Sequence, residues 1–221
     1  MTEYFKDDPR TQQERMLAGD LYLANDPALA RARRDAIRMA AEFSRIWPAH
    51  PDSAARILRR LLGAVGEGTE VRAPLYVDYG TNISIGARTF IDYNFTALGA
   101  VPITIGDDVR VGPNVQLLTT TYPLDPQQRR DNLEAGKPIT IGNNVWLGGG
   151  AIVLSGVTIG ENTVVEAGAV VSRDLPADTV PAGAPGTRQA ESGKPAKPAD
   201  PGKPAKARPR FPWRGTRAGE E

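Results

Sequence analysis

Apolar residues recur along the chain with two different spacings, and the change falls near residue 70. Between residues 11 and 64 the spacing is helical. Met16, Leu17, Leu21 and Leu23 form a short apolar group that Asp26-Pro27 ends. Asp26 suits the cap of the next helix. Pro27 suits its first position, where a missing N–H costs nothing. Leu29, Ala32, Ala36, Ile37, Ala40, Phe43 and Ile46 then follow one stripe, with arginines opposite. That is the pattern of a helix packed on one side. Pro48, His50 and Pro51 mark a turn, and DSAARILRRLLGAV predicts a third helix ending near Gly63 or Gly66.

Further on the period is six. Ile105, Val111 and Leu117 begin it. After a gap of four periods, Ile141, Leu147, Val153, Ile159, Val165 and Val171 continue in phase. A second register, four positions on, holds mostly small or β-branched residues such as Val109, Val145, Ala151 and Thr163. A helix repeats at about 3.6 and a strand at 2, so neither produces this. A short strand with a tight corner does. Three such faces close one coil, and each aliphatic side chain stacks on its equivalent about 4.8 Å away in the next. Glycine directly follows the aliphatic residue at 106, 112, 142, 148 and 160, as a corner needing a permissive residue would require. Such self-similarity sets the architecture: mainly β, a parallel β-helix of hexapeptide repeats over 67–186, behind an N-terminal helical region at 1–66. Residues 118–138 fit no repeat. They read as a polar loop thrown out from a regular solenoid, and loops of this length are usually functional or disordered, so its position points to binding.

Composition adds a tail to this picture. The 221 residues suit one domain, or one domain plus a tail. The net charge of +1 hides an asymmetry. Residues 187–221 hold nine basic and four acidic residues, which leaves −4 on the other 186. This Pro-, Lys- and Ala-rich tail has almost no aliphatic side chains and reads as disordered. Its charge is the one feature that would favour nucleic acid, so a nucleic-acid partner is a minority reading. No stretch is long and apolar enough for a membrane span, and the polar N-terminus lacks a signal-peptide core. A cytoplasmic protein is the expectation. Cysteine is absent and His50 is the single histidine, which leaves no thiolate or poly-histidine metal site and no cysteine nucleophile.

Three segments together resemble a known family: ERMLAGDLY at 14–22, DYGTNISIG at 78–86, and the run from TIGNNVWLGG through VVSRDLP at 140–176. They are similar to the hexapeptide-repeat O-acetyltransferases, in particular the maltose, galactoside and nodulation-factor acetyltransferases. The resemblance covers roughly residues 13–186. It implies a left-handed β-helix, an exception to the right-handed crossover rule, and a homotrimer that binds acetyl-CoA between neighbouring subunits. It also implies direct acetyl transfer to a hydroxyl of a sugar or similar small acceptor, without a metal. On the donor side it points to Trp146, Gly148, Gly149, Ala167 and Gly168 along the pantetheine. Ser172, Arg173 and a displaced Arg188 would lie near the adenine and phosphates, where a cation is needed.

The acceptor side departs from the family. Relatives carry a basic His in the loop, and the matching position in TTTYPLDP is Tyr122. A phenol of pKa about 10 costs roughly 4 kcal/mol to ionise at pH 7, whereas a general base supplies about 10²- to 10⁴-fold in rate. Three readings stay open. Tyr122 replaces the base in a retuned enzyme. Alternatively Asp125, Asp92 or Glu134 serves, or the acceptor is a better nucleophile such as an amine. In the third, transferase chemistry is lost and the trimer is a ligand-binding or scaffold protein, or a repurposed biosynthetic enzyme. In Phe90-Ile91-Asp92-Tyr93-Asn94, Asp92 replaces an Asn of relatives, exchanging an amide for a carboxylate. Asp92 and Asn94 are thus acceptor candidates, with Glu134 and Asp20 beside them.

Overall fold

A computed structural model describes residues 3–179. Arg188 and the tail at 187–221 lie outside the described residues. The N-terminal region is helical, as its periodicity predicts. Helix α1 (Gln12–Ala18) opens with a capping box, in which the Thr11 hydroxyl accepts from the Glu14 N–H and the Glu14 carboxylate accepts from the Thr11 N–H. A two-residue strand, β1 (Tyr22–Leu23), follows. Helix α2 (Pro27–Ile46) starts on Asp26, which accepts from the N–H groups of Ala28 and Leu29. Helix α3 (Pro51–Leu61) returns against α2. Phe43 of α2 and Ala54, Leu58 and Leu61 of α3 are buried in the same core as the first coil of the solenoid. The two helices therefore plug the open end of the stack.

Five coils follow. The first runs through β2 (Ala64–Val65), β3 (Glu70–Val71) and β4 (Leu75–Val77). The second uses β5 (Ile83–Ile85), β6 (Phe90–Ile91) and β7 (Phe95–Leu98). The third uses β8 (Ile103–Ile105), β9 (Arg110–Val111) and β10 (Gln116–Leu118). The chain then leaves the stack through β11 (Thr120–Thr121), helix α4 (Pro126–Arg130) and β12 (Leu133–Gly136). It re-enters at β13 (Ile139–Ile141), β14 (Trp146–Leu147) and β15 (Ile152–Val153), and ends with β16 (Thr158–Ile159), β17 (Val164–Val165) and β18 (Val170–Val171). Corresponding strands pair in parallel register into three five-stranded sheets. Ile85, Ile105, Ile141 and Ile159 stack in that order along the axis.

Two coils precede the hexapeptide run that the spacing reveals. Their inward residues Val71, Val77, Ile85, Ile91 and Ala97 keep the six-residue step on two faces, but two extra residues enter at the third corner. That insertion shifts the phase and hides these coils from a strict period. The glycines also do a different job from the one the spacing suggests. The left-handed corner backbone falls two residues after them, on Asp108, Asn144 and Asn162 (φ 60°, 53° and 58°), residue types that tolerate that region. The glycines serve close approach: a Cβ on Gly142 would meet the Glu161 nitrogen at 2.6 Å. The corner asparagines also form a ladder, Asn144 Nδ2 donating to Asn162 Oδ1 at 3.0 Å and Asn162 Nδ2 to Asp178 Oδ1 at 2.9 Å.

Residues 119–138 are an ordered hairpin rather than an irregular loop. Strand β12 pairs antiparallel with β11 on one side and with β1 on the other, giving a three-stranded flap beside the solenoid. Ser155 closes its neck by donating to the Thr119 carbonyl at 2.6 Å and accepting from the Lys137 N–H at 3.0 Å. The strands are too short and polar to announce themselves by period. Leu147 is fully buried at the centre of the stack, so Leu147→Ala should cost about 2–5 kcal/mol in urea unfolding. Asn162→Ala, which loses an αL-tolerant side chain and two exposed hydrogen bonds, should cost about 1 kcal/mol.

Candidate active site

The flap's register brings chemistry together. Tyr22 of β1 lies opposite Glu134 of β12. On the other side Thr121 lies opposite Ala135, so one further step places Tyr122 opposite Glu134. Directly opposed residues of an antiparallel pair share a face, with Cβ atoms about 4.5–5.5 Å apart. Glu134 thus stands between two phenols in one row. Tyr22 is 1% exposed and donates its hydroxyl to Glu134 Oε2 at 2.6 Å. Burial first, and then this bond to a carboxylate, push the Tyr22 phenol far above its usual range. Tyr122 is 63% exposed at the rim. The negative charge of Glu134, then partial desolvation, then a hydrogen bond to the same carboxylate hold its phenol above the ordinary value. At neutral pH Tyr122 is a protonated donor and not a phenolate.

Three further groups act on this row. Asp78, at the end of β4, is half-buried, and burial raises its pKa against the opposing pull of Arg33 from α2. Tyr79 is buried. Burial raises its pKa, and Arg33 exerts the largest charge effect on it, in the lowering direction. Tyr22, Arg33, Asp78 and Tyr79 are absent from the residues singled out in the sequence. Tyr22 and the Asp78-Tyr79 pair nonetheless sit inside the ERMLAGDLY and DYGTNISIG segments. The β1–β12 pairing that brings the first of these segments to the loop carries no sequence period.

The remaining acceptor-side candidates are placed elsewhere or hold other partners. Asp125 caps α4, its Oδ1 accepting from Gln127 N and Gln128 N, both at 2.8 Å. Asp20 pairs with Arg10 at 2.7 Å near the chain start. Asp92 pairs with Arg72 at 3.3 Å and accepts from the Tyr93 N–H at 2.9 Å. Arg72 lies over the rings of Phe90 and Tyr93 in turn. Asn94 holds a left-handed corner, φ 61°. Neither Asp92 nor Asn94 shares the flap with Tyr122 and Glu134.

Four donor-side candidates do come together. Gly148 and Gly149 follow β14, and Ala167 and Gly168 follow β17 one coil above. Gly168 N donates to Gly149 O at 2.9 Å, so the four line one corner of the last two coils. None of these four side chains extends past a Cβ, though half-buried Glu166 shares the corner, and a Cβ on Gly168 would meet nothing within 4 Å. Trp146 projects outward two residues before this corner, 56% exposed, between Arg110 and Val164. Ser172 and Arg173 are exposed at a different corner, after β18. A smooth strip of this kind, flanked by an aromatic ring, fits a thin extended ligand. Among the described residues no group of three or more His, Cys, Asp or Glu gathers to hold a metal. No helix among them is long and apolar enough to cross a membrane.

Comparison with known proteins places this arrangement. Residues 15–66 match the maltose acetyltransferase hexapeptide capping motif, and residues 138–173 match the bacterial transferase hexapeptide (six repeats). The chain is 45% identical over 179 residues to nodulation protein L of Rhizobium meliloti (strain 1021), covering 80% of this chain and 96% of the relative. It is 36% identical to the galactoside O-acetyltransferase of Escherichia coli (strain K12), covering 78% and 85%. Among solved structures it is similar to a maltose O-acetyltransferase from Clostridium difficile 630, with TM-score 0.75, 40% identity, and 77% and 91% of the two chains covered. A galactoside acetyltransferase in complex with coenzyme A matches with TM-score 0.73, 34% identity, and 76% and 84% covered. Capping helices, coils and flap thus all lie within the aligned part, and the chain belongs to the hexapeptide-repeat acetyltransferase family that includes the maltose and galactoside O-acetyltransferases.

Proposed function

We propose that this protein transfers an acetyl group from acetyl-CoA to a hydroxyl of a sugar or similar small acceptor. The carrying observation is the row of Tyr22, Glu134 and Tyr122. It puts a carboxylate and a protonated phenol side by side on a flap next to the solenoid, where a hydroxyl can be received and its proton taken. The donor reading rests on the bare strip of Gly148, Gly149, Ala167 and Gly168 beside Trp146, and on a 34% identical relative solved with coenzyme A. The sugar reading rests on the maltose and galactoside O-acetyltransferases among its relatives. Arg173 supplies a cation for the donor phosphates.

The working form is a homotrimer, with the donor strip of one subunit facing a neighbour. Exposed Tyr76 and Val170 project from the two end strands of one sheet, and Ile37 is exposed on α2. Ile37 and Tyr76 line one cavity, and a contiguous exposed apolar surface suits a subunit contact. Light scattering should then give three times the 23.7 kDa chain mass; a monomer at micromolar concentration would contradict the trimer.

The activity is tested by thiol release from acetyl-CoA across mono- and disaccharides. Acceptor-dependent release is the expected result. Coenzyme A binding without release to any hydroxylated acceptor would favour the divergent ligand-binding reading instead. Asp92→Asn separates a structural from an acceptor role for that residue. Its ion pair with Arg72 is partly exposed, so stability should change by less than about 1 kcal/mol. A rise in acceptor KM beyond about threefold would place Asp92 at the acceptor.

A further inference from the structure

The energetics of Tyr122 raise a problem that the flap geometry answers. A free phenol is already about three pK units from ionising at pH 7. Glu134 moves Tyr122 further in that direction. Tyr122 therefore does not work as a stand-alone base. Its hydroxyl is, however, both donor and acceptor, and a carboxylate lies directly across the strand pair. That carboxylate is held from its other side by the buried Tyr22 hydroxyl at 2.6 Å.

We propose that Tyr122 and Glu134 form a two-step proton relay, with Tyr22 as the positioning residue that holds Glu134. This rests on the acetyltransferase reading above. In the forward step the acceptor oxygen bonds to the thioester carbonyl carbon. As that bond forms, the acceptor O–H proton passes to the Tyr122 oxygen and the Tyr122 proton passes to the Glu134 carboxylate. The C–S bond then breaks and coenzyme A leaves as a thiolate. The proton returns from Glu134 through Tyr122 to the sulfur, giving the ester and the free thiol with both side chains restored. Tyr122 is never a free phenolate, so the roughly 4 kcal/mol ionisation cost is avoided. The carboxylate suffices because the attacking oxygen becomes strongly acidic as it gains a third bond. The titratable and charged groups around the pair are Tyr22 on β1, Asp78 and Tyr79 beyond β4, and Arg33 on α2.

The test uses the full-length protein and an acceptor that the wild type acetylates. Tyr122→Phe and Glu134→Gln should each lower kcat by about 10²- to 10⁴-fold with the KM for acetyl-CoA unchanged. Because the two act as one unit, the double variant should be no slower than the slower single variant. Tyr22→Phe should lower kcat severalfold with the same KM. Tyr122→His keeps a base in place, and its kcat/KM should fall below about pH 6.5 as the imidazole protonates. A readout independent of turnover guards against misfolded variants. In Glu134→Gln, ultraviolet absorbance should show the Tyr122 phenol ionising at lower pH than in the wild type, with Tyr122→Phe identifying its signal. Three results overturn the relay while leaving the transferase reading intact: single variants within threefold of wild type, effects that multiply in the double variant, or a phenol titration unmoved by Glu134→Gln. A wild type that acetylates no acceptor overturns the transferase reading itself, and the relay with it.

Discussion

Everything in this molecule depends on parallel strands staying in register along the coil axis. Each inward aliphatic residue stands on its equivalent one coil away, as Val111, Leu147 and Val165 do on one face. A slip of one residue would turn that whole column outward. The constraint is strict because the glycines after the aliphatic positions leave no spare distance between coils. Gly142 and Gly106 would each bring a Cβ against the backbone of the next coil. Register is thus fixed twice, by burial inside and by close approach at the corners. The asparagine ladder at one corner adds a polar check on the same alignment.

A rigid stack of this kind makes a good base for a separately folded flap. The chain leaves after β10 and returns at β13, and those strands keep the coil register across the excursion. The flap is not left to find its own geometry. Ser155 of the stack ties its neck, and β1 from the N-terminal region supplies its third strand. This explains why the capping helices and the protruding segment belong to one functional unit. Removing β1 would take away Tyr22, the group that holds Glu134 from behind. The proposed relay draws on the N-terminal region and on the mid-chain flap, which are far apart in sequence.

The six-residue stacking was legible in the sequence because it repeats: nine aliphatic positions in phase leave few alternatives. The helix caps at Asp26 and the α2 stripe were legible for the same local reason. The first two coils were not, since two extra residues per coil break the phase while the strand pairing survives. The flap was hidden for a different reason. Tyr22, Glu134 and Tyr122 become neighbours only through antiparallel pairing of strands two to four residues long, and such strands carry no period. The substitution at Tyr122 was visible at once, but its meaning depends on Glu134 standing opposite. Asp125 shows the converse. It reads as a candidate base by residue type and position, yet one oxygen of its carboxylate is taken up in capping α4.

In the proposed relay a hydroxyl acceptor meets Tyr122, with Glu134 behind it and Tyr22 behind that. A crystal structure with coenzyme A and an acceptor sugar bound tests it most directly. The expected result is an acceptor hydroxyl within about 2.6–3.2 Å of the Tyr122 oxygen, with Tyr122 in turn bonded to Glu134 and the thiol on the acceptor's far side. An acceptor hydroxyl held by another group, with Tyr122 turned to solvent, would contradict it.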